Sequence, residues 1–318
     1  MSGGYAEILK AFQKGNSYQP SISSVVFPNY KNVQAGEELT LDFPLTLLLG
    51  KNGTNKSSIL HALYGCPGGK STGEYWFSTH VDPISGSDRP AYFYRYQVPG
   101  TSNMAEVLKT MIKKKQDPEY WEPSRPVLDY GMKPLPKVKT GDSLPEGMIA
   151  TRWKPIEKEV LYLDFRAEIS AFDKAFYKDQ HISSRPQHRA KLRRWSKPLK
   201  HAIDSELQNR TYYQKERIFK NYTFQDSERA CVNQILGTNY NRIVYIEHDF
   251  YHSRSFSVYL TKNEENNYSE AFAGSGETSV VRLVYALENA LEKALVLLDE
   301  PETSLHIEAQ YRLREYIM

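Results

Sequence analysis

The sequence predicts an α/β fold in which two regular ends bracket an irregular middle, and three observations carry that prediction. Near one end, an apolar run at 45–49 leads through a Gly- and Asn-rich turn into an apolar-periodic segment at 57–63, a strand–turn–helix pattern. Near the other end, Val280, Leu283, Val284, Leu287 and Leu291 follow the i, i+3, i+4, i+7 rule of an amphipathic helix. "ALVLL" then gives a short all-apolar strand, as a sheet covered on both faces requires. Between the ends, about 67–225 is rich in Pro, Tyr, Trp and Lys. The expected division is an N-terminal lobe over 1–66, an inserted α+β subdomain over 67–225 and a C-terminal lobe over 226–318.

In chain order, "SISSVVF" and "LTLDFPLTLLL" read as extended and "KSSILHALYG" as a short helix. Turn signals follow at "CPGGKSTG", "DPISGSDRP" and "KTGDSLPEG". "NMAEVLKTMIKKK" and "SAFDKAFYKD" are expected helices and "VLYLDF" a strand, while "RIVYIEH" and "SFSVYLT" alternate like half-exposed strands. No repeat, heptad run or low-complexity tract is present.

With 318 residues, 40% hydrophobic and 25% charged, the chain has the composition of an ordinary globular protein of one large or two modest domains. No stretch approaches the roughly 20 apolar residues of a membrane span, and MSGGYAEILKAFQKG has no signal-peptide core. Cys66 and Cys231 are the only cysteines, which argues for a reducing compartment and against a disulfide framework or zinc site. A net charge of +3 is too small to diagnose a polyanion partner. The expectation is a cytoplasmic protein without a membrane partner.

"LLLGKNGTNKSS" nearly satisfies the phosphate-loop pattern G-x-x-x-x-G-K-[ST], which needs a strand before it and a helix after it. There the backbone N–H groups of Gly50, Lys51, Asn52, Gly53, Thr54, Asn55, Lys56, Ser57 and Ser58 would cradle phosphate. Lys56 would reach the β/γ-phosphates, and the Ser57 hydroxyl would hold Mg²⁺. Only Asn55 departs, standing where the pattern has glycine. Asn is among the non-glycine residues best tolerated in the left-handed region, where a typical residue loses about 1–2 kcal/mol. The expected loss is therefore about tenfold in affinity or less. A second Gly-Lys-Ser, in "GGKST", follows a helix and lacks the first glycine; it reads as a surface turn.

"ALVLLDEPETSLH" sets Asp299 and Glu300 just past an apolar strand, at the strand edge where ligands sit in parallel sheets. Asp299 would hold Mg²⁺ through water and Glu300 would polarise the attacking water. The same acids also read as the N-cap region of the next helix. Upstream, "AGSGETS" opens the amphipathic helix, so Ser275 and Gly276 offer N–H donors and Glu277 caps the helix start; a plain capped turn is the alternative.

Those elements, in that order, resemble ABC-type ATPases of the SMC and OLD-like group. "GKNGTNKSS" resembles their Walker A, "AGSGE" their signature, "ALVLLDE" their Walker B and "PETSLH" their D-loop. The resemblance covers about 22–66 and 270–310, and "YWFSTHVDPI" is most similar to bacterial anti-phage ATPases of the Septu and retron-associated kind. It implies a P-loop NTPase head with a compact insertion, ATP and Mg²⁺ as cofactors, and Glu300 and Lys56 as catalytic residues. It also implies a homodimer sandwiching ATP, with Ser275, Gly276 and Glu277 acting in trans and Ser304, Leu305 and His306 near the dimer axis. An effector nuclease partner in anti-phage defence follows from the same resemblance. Tyr30 is the family-based candidate for stacking on adenine, with an ordinary surface tyrosine as the equal alternative, and Gln97 is a candidate Q-loop glutamine. Three departures stand out: Asn55, a signature reading Gly274-Ser275-Gly276, and a switch histidine expected beyond Met318, since His306 belongs to the D-loop.

"RPQHRAKLRRWSKPLK" packs seven Lys or Arg into sixteen positions. Arg189, Arg193, Arg194 and Trp195 are therefore candidates for DNA or RNA, with "MIKKK" as a second patch, against the plainer reading of a solvated face. A nucleotide-gated scaffold with little hydrolysis is the competing function. A membrane-transporter ATPase subunit fits less well, because Lys56 and Asp299 stand roughly 240 positions apart.

Overall fold

The computed structural model describes residues 18–84, 89–112, 120–139, 141–167, 169–178, 185–208, 211–212 and 214–318. The N-terminal stretch and Lys113 to Lys115 of the second basic patch lie outside the described residues, as do parts of the three segments "DPISGSDRP", "KTGDSLPEG" and "SAFDKAFYKD". The chain divides into two compact units, Met1–Tyr162 with Leu291–Leu297, and Leu163–Ala290 with Leu298–Met318.

The first unit is built on an antiparallel sheet of order β2-β1-β3-β4-β5, from β1 (Ile22–Asn29), β2 (Glu37–Thr40), β3 (Ala91–Gln97), β4 (Met104–Ile112) and β5 (Tyr120–Ser124). Its period-2 alternation makes two apolar faces. Val25, Phe27, Tyr92, Tyr94, Val107 and Trp121 pack with Ala62 and Leu63 of helix α1 (Lys56–Tyr64). Val26, Phe93 and Leu108 form the smaller second face with Met132. A short hairpin, β6 (Met148–Ile149) and β7 (Arg152–Trp153), follows.

β4 corrects the sequence expectation of a helix at "NMAEVLKTMIKKK". Met104, Val107, Leu108 and Met111 do carry helical spacing, but the segment is hydrogen-bonded on both sides, to β3 and β5, and buried on both faces. Tertiary pairing overrides local propensity there. The expected strand at 45–49 is a second correction. It forms no strand, and Leu47 and Leu49 stand 73% and 87% exposed. Pro44 removes an N–H at its start, and no neighbouring strand pairs with it among the described residues.

The second unit has an antiparallel sheet of order β11-β12-β13-β14, from β11 (Ile218–Thr223), β12 (Arg242–His248), β13 (Ser255–Thr261) and β14 (Asn267–Ser269). The strands expected at "RIVYIEH" and "SFSVYLT" are β12 and β13. Helix α2 (Arg185–Asp204) lays Leu192, Leu199 and Ile203 on this sheet, against Ile218, Val244 and Ile246. Helices α3 (Asp226–Leu236), α4 (Ser275–Glu288) and α5 (Ile307–Ile317) pack together, α3 touching both others. A two-residue hairpin, β9 (Thr211–Tyr212) with β10 (Lys215–Glu216), precedes β11. "SAFDKAFYKD" gives one α-turn at Ala171–Asp173 continued by a wider turn to Lys178, shorter than expected.

β8 (Val160–Asp164) and β15 (Leu295–Asp299) pair with each other, and the division between units falls within both. They run in parallel: Leu295 N–H donates to the Glu159 carbonyl at one end, and Phe165 N–H to the Asp299 carbonyl at the other. Parallel and antiparallel pairing with helices makes this an α/β fold. No helix among the described residues is long and apolar enough to cross a membrane.

Candidate functional site

The expected phosphate loop runs into α1, so the helix its pattern requires is present, while the strand expected before it, at 45–49, is not. Gly53 (φ +82°) and Asn55 (φ 66°, ψ 17°) both take the left-handed conformation, and Asn55 is the helix N-cap. Asn55 thus adopts the backbone geometry expected of the glycine it replaces. Lys56 Nζ folds back onto the carbonyls of Gly50 (2.9 Å) and Lys51 (3.1 Å), and Thr54 Oγ1 donates to Lys51 O at 2.8 Å. The loop is a closed, mostly exposed ring with an ammonium at its middle, and the helix N-terminus adds positive field. Those features, with hydroxyls at Ser57 and Ser58, suit a polyphosphate.

Tyr30 is corrected by its surroundings. It is fully buried among Phe27, Trp76, Tyr92 and Trp121, so no nucleobase can stack on it. Its hydroxyl instead donates to the Ser58 carbonyl at 2.9 Å, which ties the start of α1 to the core. Burial holds this phenol well above the usual range. Tyr94 does the same further on, donating to the Cys66 carbonyl at 2.7 Å. Gln97, at the end of β3, donates to Thr101 O at 2.8 Å and serves the following turn. "GGKST" is a turn, with Gly69 at φ +77° and Ser71 capping a single 3-10 turn.

In the second unit, Asp299 ends β15 and is 3% exposed, while Glu300 is half-buried in the left-handed conformation at φ 54°. Sequence reasoning missed their companion, Arg166. Its guanidinium lies 3.3 Å from Asp164 Oδ1, 3.2 Å from Asp299 Oδ2 and 3.7 Å from Glu300 Oε2. The hydrogen bond to Asp164, ahead of the nearby Asp299 and Glu300 charges, raises its pKa further. "YLDFRAE" placed Arg166 just past a strand, which was the only available signal; 133 residues separate it from Asp299. The buried oxygen donors of Asp299 fit a hard divalent cation.

The segments expected as signature and D-loop meet within this unit. A Cβ added at Gly276 would come within 2.7 Å of the Ser304 carbonyl and 3.1 Å of Leu305, so only glycine fits this approach. Ser304 is itself left-handed, at φ 68°. Glu277 caps α4 by accepting from Gly274 N–H (2.7 Å), and it also accepts from the hydroxyls of Tyr268 (2.9 Å) and Tyr240. Its carboxylate is thus engaged inside the unit. Burial and the Glu277 bond hold the Tyr240 phenol well above its usual range. Ser275 and Ser304 are exposed, Leu305 is buried, and exposed His306 caps α5 through Nδ1.

The basic run forms α2, with Arg189, Arg193 and Arg194 exposed. Trp195 is only half available: its ring packs near Tyr251 (6.1 Å) and edge-on to His252 (4.7 Å).

The sequence model of a family described as "AAA domain, putative AbiEii toxin, Type IV TA system" matches residues 149–318, just over half the chain. The match takes in Arg166, α2, the Gly276 loop, Asp299, Glu300 and residues 304–306, and begins after the loop at 50–58. No curated protein matches the chain.

Proposed function

The chain belongs to the AAA-domain family matched over residues 149–318, that of P-loop ATPases, and on that premise we propose an ABC-type ATPase that dimerises around Mg-ATP to control an effector. The observation that carries this reading is the phosphate loop, closed around Lys56 with Asn55 in the left-handed conformation.

The chain's own residues divide the work. The loop N–H groups and Lys56 bind phosphate oxygens, with Ser57 beside them at the start of α1. Asp299 holds the cation, which supplies charge neutralisation when bound, and Glu300 orients and polarises the attacking water. The loop lies in the first unit and the carboxylates lie in the second. The exposed Ser275, Ser304 and His306 form the surface offered to a second copy, in the head-to-tail arrangement of ABC ATPases. The effector is proposed to be a nuclease in anti-phage defence, and the exposed arginines of α2 to contact DNA or RNA.

Glu300→Gln tests the assignment. ATP affinity should stay within about threefold while turnover falls by about a hundredfold or more, and a stable dimer should accumulate on ATP by size-exclusion chromatography. Unchanged turnover would refute the role given to Glu300. A nucleotide-gated scaffold with little hydrolysis is the second reading, favoured by the Arg166 grip on both acids. Turnover measured beside affinity in the unaltered chain separates the two.

A further inference from the structure

The first unit carries a basic groove on the sheet face away from α1. Its floor is made by cross-strand neighbours of β4 and β5, Leu108 opposite Ser124 and Thr110 opposite Glu122. Arg89, Arg125 and Arg152 stand around it, and Val127 and Tyr130 form an apolar wall. The groove has a volume of about 410 Å³, within the range of small-ligand sites.

Among the described residues, its charge is not balanced from within. None of the three arginines makes an ion pair with an acidic side chain among the described residues, although most other arginines of the fold do. Among the described residues Glu122 is the one acid lining the groove, against three guanidinium groups. Arg152 Nε is also shut off from solvent with no hydrogen-bond acceptor. Leaving a buried donor unpaired is costly, about 1–3 kcal/mol and more for a charged one. An anion with several acceptor oxygens balances this charge, and planar guanidinium groups match phosphate oxygens in pairs. The volume exceeds a bare phosphate, and Tyr130 lines the same groove.

We propose that the Arg89–Arg125–Arg152 groove binds the phosphate ester of a nucleotide unit, separate from the phosphate loop. The unit is carried in a single strand or supplied as free nucleotide, and the probes below distinguish the two sources.

The test uses the full chain in a Lys56→Ala background, which silences the phosphate loop. Fluorescence anisotropy with labelled dT12 at low salt reads the strand, and fluorescently labelled AMP in the same assay reads the free nucleotide. Arg89 and Arg125 are exposed, so Arg89→Gln with Arg125→Gln should keep the fold, checked by the thermal midpoint. The double variant should bind at least about tenfold more weakly, one lost phosphate contact or more. Arg125→Gln alone should show a smaller loss and serves if the double variant melts early. Binding of labelled AMP without binding of dT12 assigns the site to free nucleotide. Binding unchanged in the variants, or no binding of either probe by the parent chain, overturns the proposal.

Discussion

Arg166 bridges Asp164, Asp299 and Glu300, so one guanidinium stands where a divalent cation would compete for Asp299. Because it is nearly half exposed, its hold on the acids is worth only about 1 kcal/mol. Arg166→Ala should therefore tighten nucleotide-free Mn²⁺ binding by about fivefold. Electron paramagnetic resonance of free Mn²⁺ measures this directly, and equal or weaker affinity in the variant would sink the idea. Asn55 makes the complementary point. Its left-handed geometry was legible from the sequence, since a short polar side chain tolerates that conformation and the loop pattern has glycine there. Tyr30 was not legible: a tyrosine before "KNV" reads alike on a surface or in a core, and only the aromatic neighbours from β3 and β5 decide.

At the scale of elements, α4 is coupled to the segment after β15 through Gly276. Gly276→Ala forces its new methyl against the Ser304 carbonyl, 2.7 Å away, a backbone atom that cannot swing aside. Overpacking of this kind costs about 1–3 kcal/mol. Urea denaturation should show a loss of that size, with ATP affinity in the phosphate loop kept; an unchanged midpoint would mean the D-loop yields freely. Elements with a self-contained pattern were readable in advance. α4 shows its apolar stripe and β15 its apolar run, although Leu291 falls beyond the helix end at Glu288. β4 was not, because Val107, Leu108 and Met111 satisfy helix and strand periods at once, and its pairing with β3 and β5 settled the matter. The run at 45–49 failed in the opposite sense: strand composition without a strand partner makes no strand.

Across the whole molecule, buried titratable groups set how stability varies with pH. Phe250 N–H donates to His248 Nδ1, so Nε2–H faces Ser257 Oγ at 2.8 Å, and the Ser257 hydroxyl donates to Glu270 at 2.5 Å. Burial pushes Glu270 up to about 7 and His248 down to about 3. A raised acid favours the fold below its unfolded value and loses that advantage as pH rises to about 7. A depressed histidine contributes above its unfolded value and loses it as pH falls toward about 3. Through the acid range the two oppose, so wild-type stability should vary little there. Lys109, buried in the first unit and pushed down to about 8, makes stability rise with pH above that value. Glu270→Gln removes the acid's contribution alone. Its denaturation midpoint relative to wild type should be higher at pH 8 than at pH 5, by about 1–3 kcal/mol; a difference independent of pH would refute the account.

By itself the sequence determined what depends on a few adjacent residues: the left-handed turn before α1, the stripe of α4, the apolar strand ending in Asp299 and Glu300, and with them the P-loop class. The tertiary structure decided what depends on partners far along the chain. It paired β4 on both sides, buried Tyr30 beneath the phosphate loop's helix, and brought Arg166 to Asp299 and Gly276 to Ser304. The reason is physical. Backbone sterics and hydrophobic period act over one or two turns of chain, whereas burial and ion pairing are fixed only when distant segments close on one another.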